Sequence, residues 1–248
     1  MNLVEVLILV FSFLVFLSLR VPIAFAIGLA ALFTLLSAMP FLPSVTTLAQ
    51  RMATSLDSFT LSAIPFFILA GQIMNRGGIA VRLINFAKAI VGPLPGGLAF
   101  VNIISCMLFG AISGSAVAAA SAIGGFMNPM MEKDGYDKSF SAAVNITSAT
   151  TGLIIPPSNV LIVYSLASGG VSIAALFIAG YIPGILTGLL LMIVASIWAK
   201  KKGYPTSKKS SLNNIFKTFI VAIPSLFLLF IVIGGIVSGI FTATEASA

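Results

Sequence analysis

Histidine is absent from this chain of 248 residues. That removes the side chain most used as a transition-metal ligand and as a general base near neutral pH. The one cysteine, Cys106, lies inside an apolar run. No internal disulfide can form, and a thiolate metal site would lack its second ligand. Charge is also scarce: 8% of the residues are Asp, Glu, Lys or Arg, against about 25% in soluble domains. A water-facing surface cannot be built from so few charges. With 59% hydrophobic residues and a mean hydropathy of +1.15, most of the surface must face lipid. Paired carboxylates and a nucleophile beside a base are missing as well, which argues against an enzyme.

What charge there is sums to +7. The cations fall in short loops between apolar runs, the arrangement that orients membrane proteins, so a nucleic-acid partner is not expected. Glu5, at the start of the first apolar run, is the only charge before Arg20, and there is no positive n-region or small-residue cleavage site. That run is therefore read as a span and not as a signal peptide.

Apolar runs cover 3–19, 21–39, 58–75, 97–131, 141–168, 171–199 and 215–238. A helix needs about 20 residues to cross a hydrocarbon core of roughly 30 Å. The first three runs reach that length with help from their flanks, and the last two exceed it. The run 97–131 is interrupted by I-S-G-S-A (112–116), leaving halves too short to cross alone. The run 141–168 is interrupted by G-L-I-I-P-P-S-N (152–159). Its paired prolines lack two N–H donors and push the residue before them out of helical geometry.

Parity fixes the course of the chain. With the N-terminus outside and 97–131 a re-entrant hairpin, every cation except Arg51 lies inside. If 97–131 crossed once, Lys200, Lys201 and Lys202 would lie outside, against the positive-inside rule. The segment 41–57 reads as an interfacial arm, with Asp57 as a helix cap for Ser58 onward. The segment 79–91, with Arg82 and Lys88 among apolar residues, reads as an amphipathic helix on the inner face. The lysine-rich tract 200–211 reads as a cytoplasmic loop. Glu245, within F-T-A-T-E-A (241–246), is placed to open a further helix.

Irregular backbone survives inside a bilayer only where protein or a watery cavity surrounds it. A broken helix offers free carbonyls that suit a cation such as Na⁺, and free amides that suit an anionic group. In the hairpin, the stretch from Gly110 to Ile112 supplies carbonyls, Ser113 and Ser115 supply hydroxyls, and Gly114 permits close approach. In the second break Gly152 and Ile155 offer carbonyls, which Pro156 and Pro157 keep from re-pairing. No carboxylate lies in either break, so a Na⁺ site here uses neutral oxygens and binds modestly. Taken singly, the small-residue tract 113–122 also fits plain helix packing, and the proline pair a structural kink.

Further motifs share this order. They are S-L-D-S-F…P-F-F-I-L-A-G (55–71), M-N-R-G-G-I (74–79) and G-G…N…F-G-A-I-S-G-S-A-V-A (96–118). G-Y-D (135–137), T-G-L-I-I-P-P-S (151–158), L-F-I-A-G-Y-I-P-G (176–184), K-K-G-Y-P (201–205) and G-I-F-T-A-T-E-A (239–246) come after them. Along nearly its whole length the chain resembles the N-terminal half of the large membrane subunit (DctM type) of tripartite ATP-independent periplasmic (TRAP) transporters. The S-G-S-A and I-P-P-S pair is the specific part of that signature.

The resemblance implies an all-α polytopic membrane protein, half of an elevator-type ion-transporter-like fold. Scaffold helices and the arm would occupy 1–75, the inner-face helix 76–96, the transport domain 97–168, and further spans with the lysine loop 169–248. It implies a bacterial inner-membrane importer of organic acids such as C4-dicarboxylates, sialic acid or other sugar acids, driven by Na⁺ and needing no other cofactor. It also implies a small four-helix membrane subunit (DctQ type), a periplasmic substrate-binding protein and a remaining C-terminal half as partners. By alignment the Na⁺ ligands are Gly110, Ser113, Gly152, Ile155 and Pro156, while Ser115, Ser158 and Asn159 face the substrate cavity. Ala119 stands where relatives carry Asp, and Leu153 where they carry Pro. The family also has an inverted second half with its own hairpin, which this sequence does not reach, so the chain is expected to be an N-terminal portion of the subunit or one piece of a split one. Two other readings remain: an anion or dicarboxylate elevator carrier that needs no binding protein, and a membrane scaffold subunit that transports nothing.

Overall fold

The computed structural model describes residues 3–57, 59–207 and 210–248, and every regular element among them is helical. The chain packs as two bodies, residues 1–58 and 59–248.

The first body holds α1 (Leu3–Ser18), α2 (Ile23–Ala38) and α3 (Phe41–Leu56). Phe16 of α1 stacks on Phe33 of α2 with ring centroids 5.8 Å apart. Little else is covered: α1 has no buried residue and α2 only Ala26 and Ala30. Leu3, Phe11 and Phe25 stay 76%, 71% and 68% exposed, a surface that lipid or protein must solvate and water cannot. α1 and α2 have 16 residues each, about 24 Å of helix, somewhat less than a full crossing. α3 covers the segment expected as an arm and is an amphipathic helix, polar through Thr46, Gln50, Arg51 and Ser55. Asp57 closes α3, its N–H donating to the Ala53 carbonyl at 3.3 Å, instead of capping the next helix. Ser58 lies outside the described residues, and that next full helix takes Ser62 as its N-cap residue.

The second body runs α4 (Ala63–Arg76), α5 (Ile79–Val91), α6 (Gly97–Ser113), α7 (Ala116–Lys133) and α8 (Lys138–Ala149). It continues with α9 (Asn159–Ala167), α10 (Ile173–Lys202), α11 (Leu212–Val237) and α12 (Ala243–Ser247). Among the described residues, α10 and α11 alone are long and apolar enough to cross a bilayer unaided. Their 30 and 26 residues make about 45 and 39 Å of helix. α4 belongs to this body and not with 1–58, because Phe67 is buried beside Ile162 and Phe177 while Gly71 abuts Ser113.

Two separate cores hold this body together. Leu83, Leu98, Ile103, Phe109, Ile123, Met127 and Met131 build the larger, among α5, α6 and α7. Ala63, Phe67, Ile162, Phe177, Ile236 and Ala243 build the smaller. α10 runs along both. Its Gly180, Gly184 and Gly188 present a face without side chains, so that a methyl at Gly184 would lie 2.4 Å from Ile155 Cγ1 and one at Gly188 2.3 Å from Met107 Sδ. Small residues at four-residue spacing are how apolar helices approach closely in lipid.

The feet of the α6–α7 hairpin lie together. Gly96, just before α6, packs on Ala199 near the end of α10; Tyr136, just after α7, stacks on Tyr204, just after α10, at 4.3 Å. α10 runs on through Lys202 before Gly203 stops it in a left-handed conformation, so Lys200, Lys201 and Lys202 form its last turn and not a loop. There they oppose the negative end of the helix dipole. Lys208 and Lys209 lie outside the described residues. The expected helix at Glu245 is α12, opened by a capping box in which the Thr242 N–H donates to Glu245 Oε2 at 2.8 Å.

The G-Y-D and K-K-G-Y-P motifs meet here. The Tyr204 hydroxyl donates to Asp137 Oδ2 at 2.7 Å, Lys202 Nζ sits 3.5 Å from the same carboxylate, and the Tyr136 hydroxyl donates to the Pro205 carbonyl at 3.3 Å. The Tyr204 bond, and after it the Lys202 charge, holds the Asp137 carboxyl below its ordinary pKa. A depressed carboxyl stabilises the fold above the ordinary carboxylate range, and that contribution is lost as pH falls through the lowered value. The single tryptophan, Trp198, stacks on Phe140 of this cluster at 6.4 Å and reports on it. Acid titration followed by Trp198 fluorescence should show a transition below the ordinary aspartate value of about 3.9. Tyr204→Phe should move that midpoint upward; an unmoved midpoint would detach the Tyr204 bond from the transition.

Candidate functional site

Both interruptions are built by the same local devices. α6 stops because Gly114 takes φ 62°, and its N–H closes on the Gly110 carbonyl at 2.8 Å. Ser115 is extended, and its hydroxyl starts α7 by accepting the Ala118 N–H at 3.3 Å. In the second interruption α8 tightens into a 3₁₀ turn, Thr150–Leu153, whose Thr151 carbonyl accepts the N–H groups of Ile154 and Ile155 at 3.1 and 2.8 Å. Pro156 and Pro157, joined by a cis peptide, offer no donors. Ser158 is extended, accepts the Leu161 N–H at 3.3 Å to start α9, and donates back to the Leu153 carbonyl. Each break thus ends one helix and begins the next from a serine cap.

The two tips touch. A methyl built on Gly110 would lie 2.3 Å from Gly152 Cα, and one on Gly152 2.8 Å from Gly110 Cα. Only a glycine pair allows that crossing. The Asn159 N–H donates to the Gly114 carbonyl at 3.2 Å, tying the start of α9 to the hairpin tip. Among the described residues no hydrogen bond reaches the carbonyls of Ala111, Ile112 and Ser113 on one side, or Gly152, Ile155 and Pro156 on the other. The Ser113 hydroxyl is fully buried without a partner, and so is the Asn159 side-chain oxygen. A buried polar atom left this way costs about 1–3 kcal/mol.

The residues expected at an ion site lie on these two touching breaks, with different duties. The Gly110 carbonyl is half committed, to Gly114. Ser113 is free, and its Cβ would meet a methyl on Gly71 of α4 at 2.8 Å. Gly152 makes the crossing; Ile155 fills the notch at Gly184 and leaves its carbonyl unpaired. Pro156 is buried beside Gly180. Ser115 and Ser158 spend their hydroxyls on helix caps, while Asn159 keeps an open amide oxygen.

The arrangement separates charge preferences. Partially negative helix ends meet at Gly110 and Gly152, where neutral oxygens suit a cation. The partially positive ends of α7 and α9 begin at Ser115 and Ser158, where, among the described residues, the N–H groups of Ala116, Val117 and Val160 lack partners. A cavity of about 240 Å³ opens next to the tips, lined by Ala111, Ile112 and Pro157 with Phe67, Ala70 and Met74 of α4 and part of α11.

Sequence reading missed a buried amide and hydroxyl cluster one to two turns below the tips, at Asn102, Asn145 and Ser148. Its signal was available: side-chain amides inside apolar runs at membrane depth are costly and are kept for a reason.

Gly110→Ala should destabilise by about 1–3 kcal/mol through overpacking, read as a lowered thermal unfolding midpoint in detergent. Gly125→Ala, where a methyl meets nothing within 4 Å, is the control and should be neutral or mildly stabilising. Equal behaviour of the two would refute the close crossing.

Residues 10–248 match the family described as tripartite ATP-independent periplasmic transporter, DctM component. The chain is 58% identical to an uncharacterized protein, YgiK, of Salmonella typhimurium, over 96% of this chain and 54% of that one. It is 41% identical to the C4-dicarboxylate TRAP transporter large permease protein DctM of Rhodobacter capsulatus, over 92% and 54%. It is 44% identical to the sialic acid TRAP transporter large permease protein SiaM of Vibrio cholerae, over 81% and 47%. The chain spans about half the length of the curated relatives it matches. The last two are named as permeases of transport systems, a transporter family and not enzymes, and with the family matched over nearly every residue, this chain belongs to the DctM component family of tripartite ATP-independent periplasmic transporters.

Proposed function

We propose that the chain is part of the membrane permease of a Na⁺-coupled, binding-protein-dependent importer of organic acids. The observation that carries this is the contact of two interrupted helices at Gly110 and Gly152, with main-chain oxygens unpaired on both breaks and the Ser113 hydroxyl buried and unpaired beside its own. Broken helices that meet within a bilayer are the architecture of secondary-transporter sites.

The residues present fit a Na⁺ ion. Ser113 Oγ and the carbonyls of Gly152, Ile155 and Pro156 would hold it, with the second lone pair of the Gly110 carbonyl. Bound there, it would supply the gradient energy for uphill import. An organic acid fits the opposite side of the tips, where the amides of α7 and α9 face its carboxylate and Asn159 offers an amide. The names of two relatives, for C4-dicarboxylate and for sialic acid, support this chemical class.

The hairpin feet beside the lysine-rich end of α10 support a re-entrant hairpin entered from the cytoplasmic side, with the N-terminus periplasmic and the whole in an inner membrane. Elevator motion would carry hairpin and broken helix together. A periplasmic binding protein, a small DctQ-type subunit and the rest of the large subunit complete the assembly.

The test is solute uptake into proteoliposomes holding the complete transporter. Ser113→Ala should raise the Na⁺ concentration for half-maximal uptake on the order of tenfold. An unchanged Na⁺ response would remove Ser113 from the ligands. Replacing Pro156 and Pro157 with Ala should abolish uptake by letting the break re-pair as helix. Full activity would show that the break is not required. Uptake without the binding protein would favour a self-sufficient anion carrier, and no uptake with every partner present a scaffold.

A further inference from the structure

We infer that Asn102, Cys106, Asn145 and Ser148 form a polar knot that positions the two interrupted helices against each other and so sets the spacing of their ion-facing main-chain oxygens. This rests on the proposed sodium site and names residues outside the ligand set that would tune it.

The four side chains are at most 5% exposed. Asn102 and Cys106 lie one turn apart on α6, and Asn145 and Ser148 one turn apart on α8. Ser148 Oγ is 3.1 Å from the Asn102 side-chain oxygen, and Cys106 Sγ is 3.4 Å from that oxygen and 3.9 Å from Asn145 Oδ1. Asn145 Nδ2 crosses to α7, donating to the Ala120 carbonyl at 2.9 Å. Gly124 makes room for it, since a methyl there would lie 2.2 Å from Asn145 Nδ2. Ser148 has one proton, and the Val144 carbonyl takes it at 2.6 Å. Turning the Asn102 amide over lets its Nδ2, otherwise unpartnered, donate to Ser148 Oγ. A continuous run of donors then joins α6, α8 and α7.

The knot is in register with the tips. Asn102, Cys106 and Gly110 recur every fourth residue on one face of α6, as Ser148 and Gly152 do on the other side, so knot and glycine crossing are successive contacts of one helix pair. They stand about 12 Å apart along α6. Thr151 links them: its hydroxyl donates to the Ser148 carbonyl at 2.6 Å, and its own carbonyl takes the amides of Ile154 and Ile155.

Apolar replacements of matching shape would pack about as stably, because buried polar pairs add little net stability. What they would lose is register. Smooth apolar helices have no hydrophobic force to hold them in lipid, and interhelical hydrogen bonds fix where they stop. A site of neutral oxygens needs its ligands held within a fraction of an ångström.

The experiment uses the complete transporter in proteoliposomes, with Ser148→Ala, Asn145→Leu and the conservative Ser148→Thr. Ser148→Ala and Asn145→Leu should raise the Na⁺ concentration for half-maximal uptake about fivefold, the size of one lost hydrogen bond, while solute KM at saturating Na⁺ stays put. Ser148→Thr should restore the original value. Alkylation of Cys106 by N-ethylmaleimide, quantified by mass spectrometry, gives a readout independent of transport. It should be slow in the unaltered protein, slower still with Na⁺, and fast in Asn145→Leu. Sodium-dependent uptake with the same Na⁺ midpoint in all variants overturns the knot, as does a lowered unfolding temperature and maximal rate at an unmoved midpoint. An unaltered protein whose uptake and Cys106 labelling both ignore Na⁺ instead overturns the sodium reading. Fast labelling confined to Asn145→Leu would then still support the knot as a clamp.

Discussion

A main-chain carbonyl or amide without a partner is tolerable in water and costly in hydrocarbon. The second body of this protein is organised around that constraint. Two helices stop inside it, and each stop frees polar groups that lipid cannot solvate. Every neighbour bends to the task of covering them. Gly110 and Gly152 bring the tips together, the glycine face of α10 closes over Ile154 and Ile155, and Gly71 of α4 abuts Ser113. The long helices α10 and α11 and the two hydrophobic cores arise from the same need, since a wall must stand around backbone that has left the helix.

The residual groups are as informative as the covered ones. Most of the backbone at the tips is satisfied by three devices: a left-handed glycine, a 3₁₀ turn and serine caps. What remains unpaired among the described residues is a small set of oxygens on the two breaks, one buried hydroxyl, and the first amides of α7 and α9. A fold that had only to minimise exposed polarity would have closed these too. Their survival at the contact of the tips is the physical case for a solute site, and the membership of a transporter family agrees with it.

Much of this was legible in the sequence because the signals are local. The half-length segments and the S-G-S-A and P-P-S motifs located both breaks to within a few residues, and the amphipathic pattern of 79–91 matches α5 at both ends. Legibility failed where the cause was tertiary. Asp57 looks like a cap beside Ser58, but which helix it serves depends on where the chain divides, and it closes α3. Lysines look like loop residues, yet a helix dipole welcomes them, and α10 extends through Lys202. The expected ion-facing residues come together, but hydroxyl count alone could not show that Ser115 and Ser158 are occupied as caps while Ser113 is not. Asn102 and Asn145 were visible as letters and invisible as a pair, since nothing in a sequence says that two amides 43 positions apart on different helices point at one thiol.

The meeting of like helix ends carries one more consequence. Each end behaves as about half an elementary charge, negative at a C-terminus and positive at an N-terminus. At the tips, C-terminal ends are pressed against each other at Gly110 and Gly152, and the N-terminal end of α9 abuts the hairpin at Gly114. The C-terminal pair repels in a medium that screens poorly. Such a centre is loosest when bare, and mobile charges of the complementary signs would draw it taut. Filled with one of each, it would present almost no net field to the surrounding hydrocarbon, which is the condition under which a loaded fragment of protein moves across a bilayer at least cost.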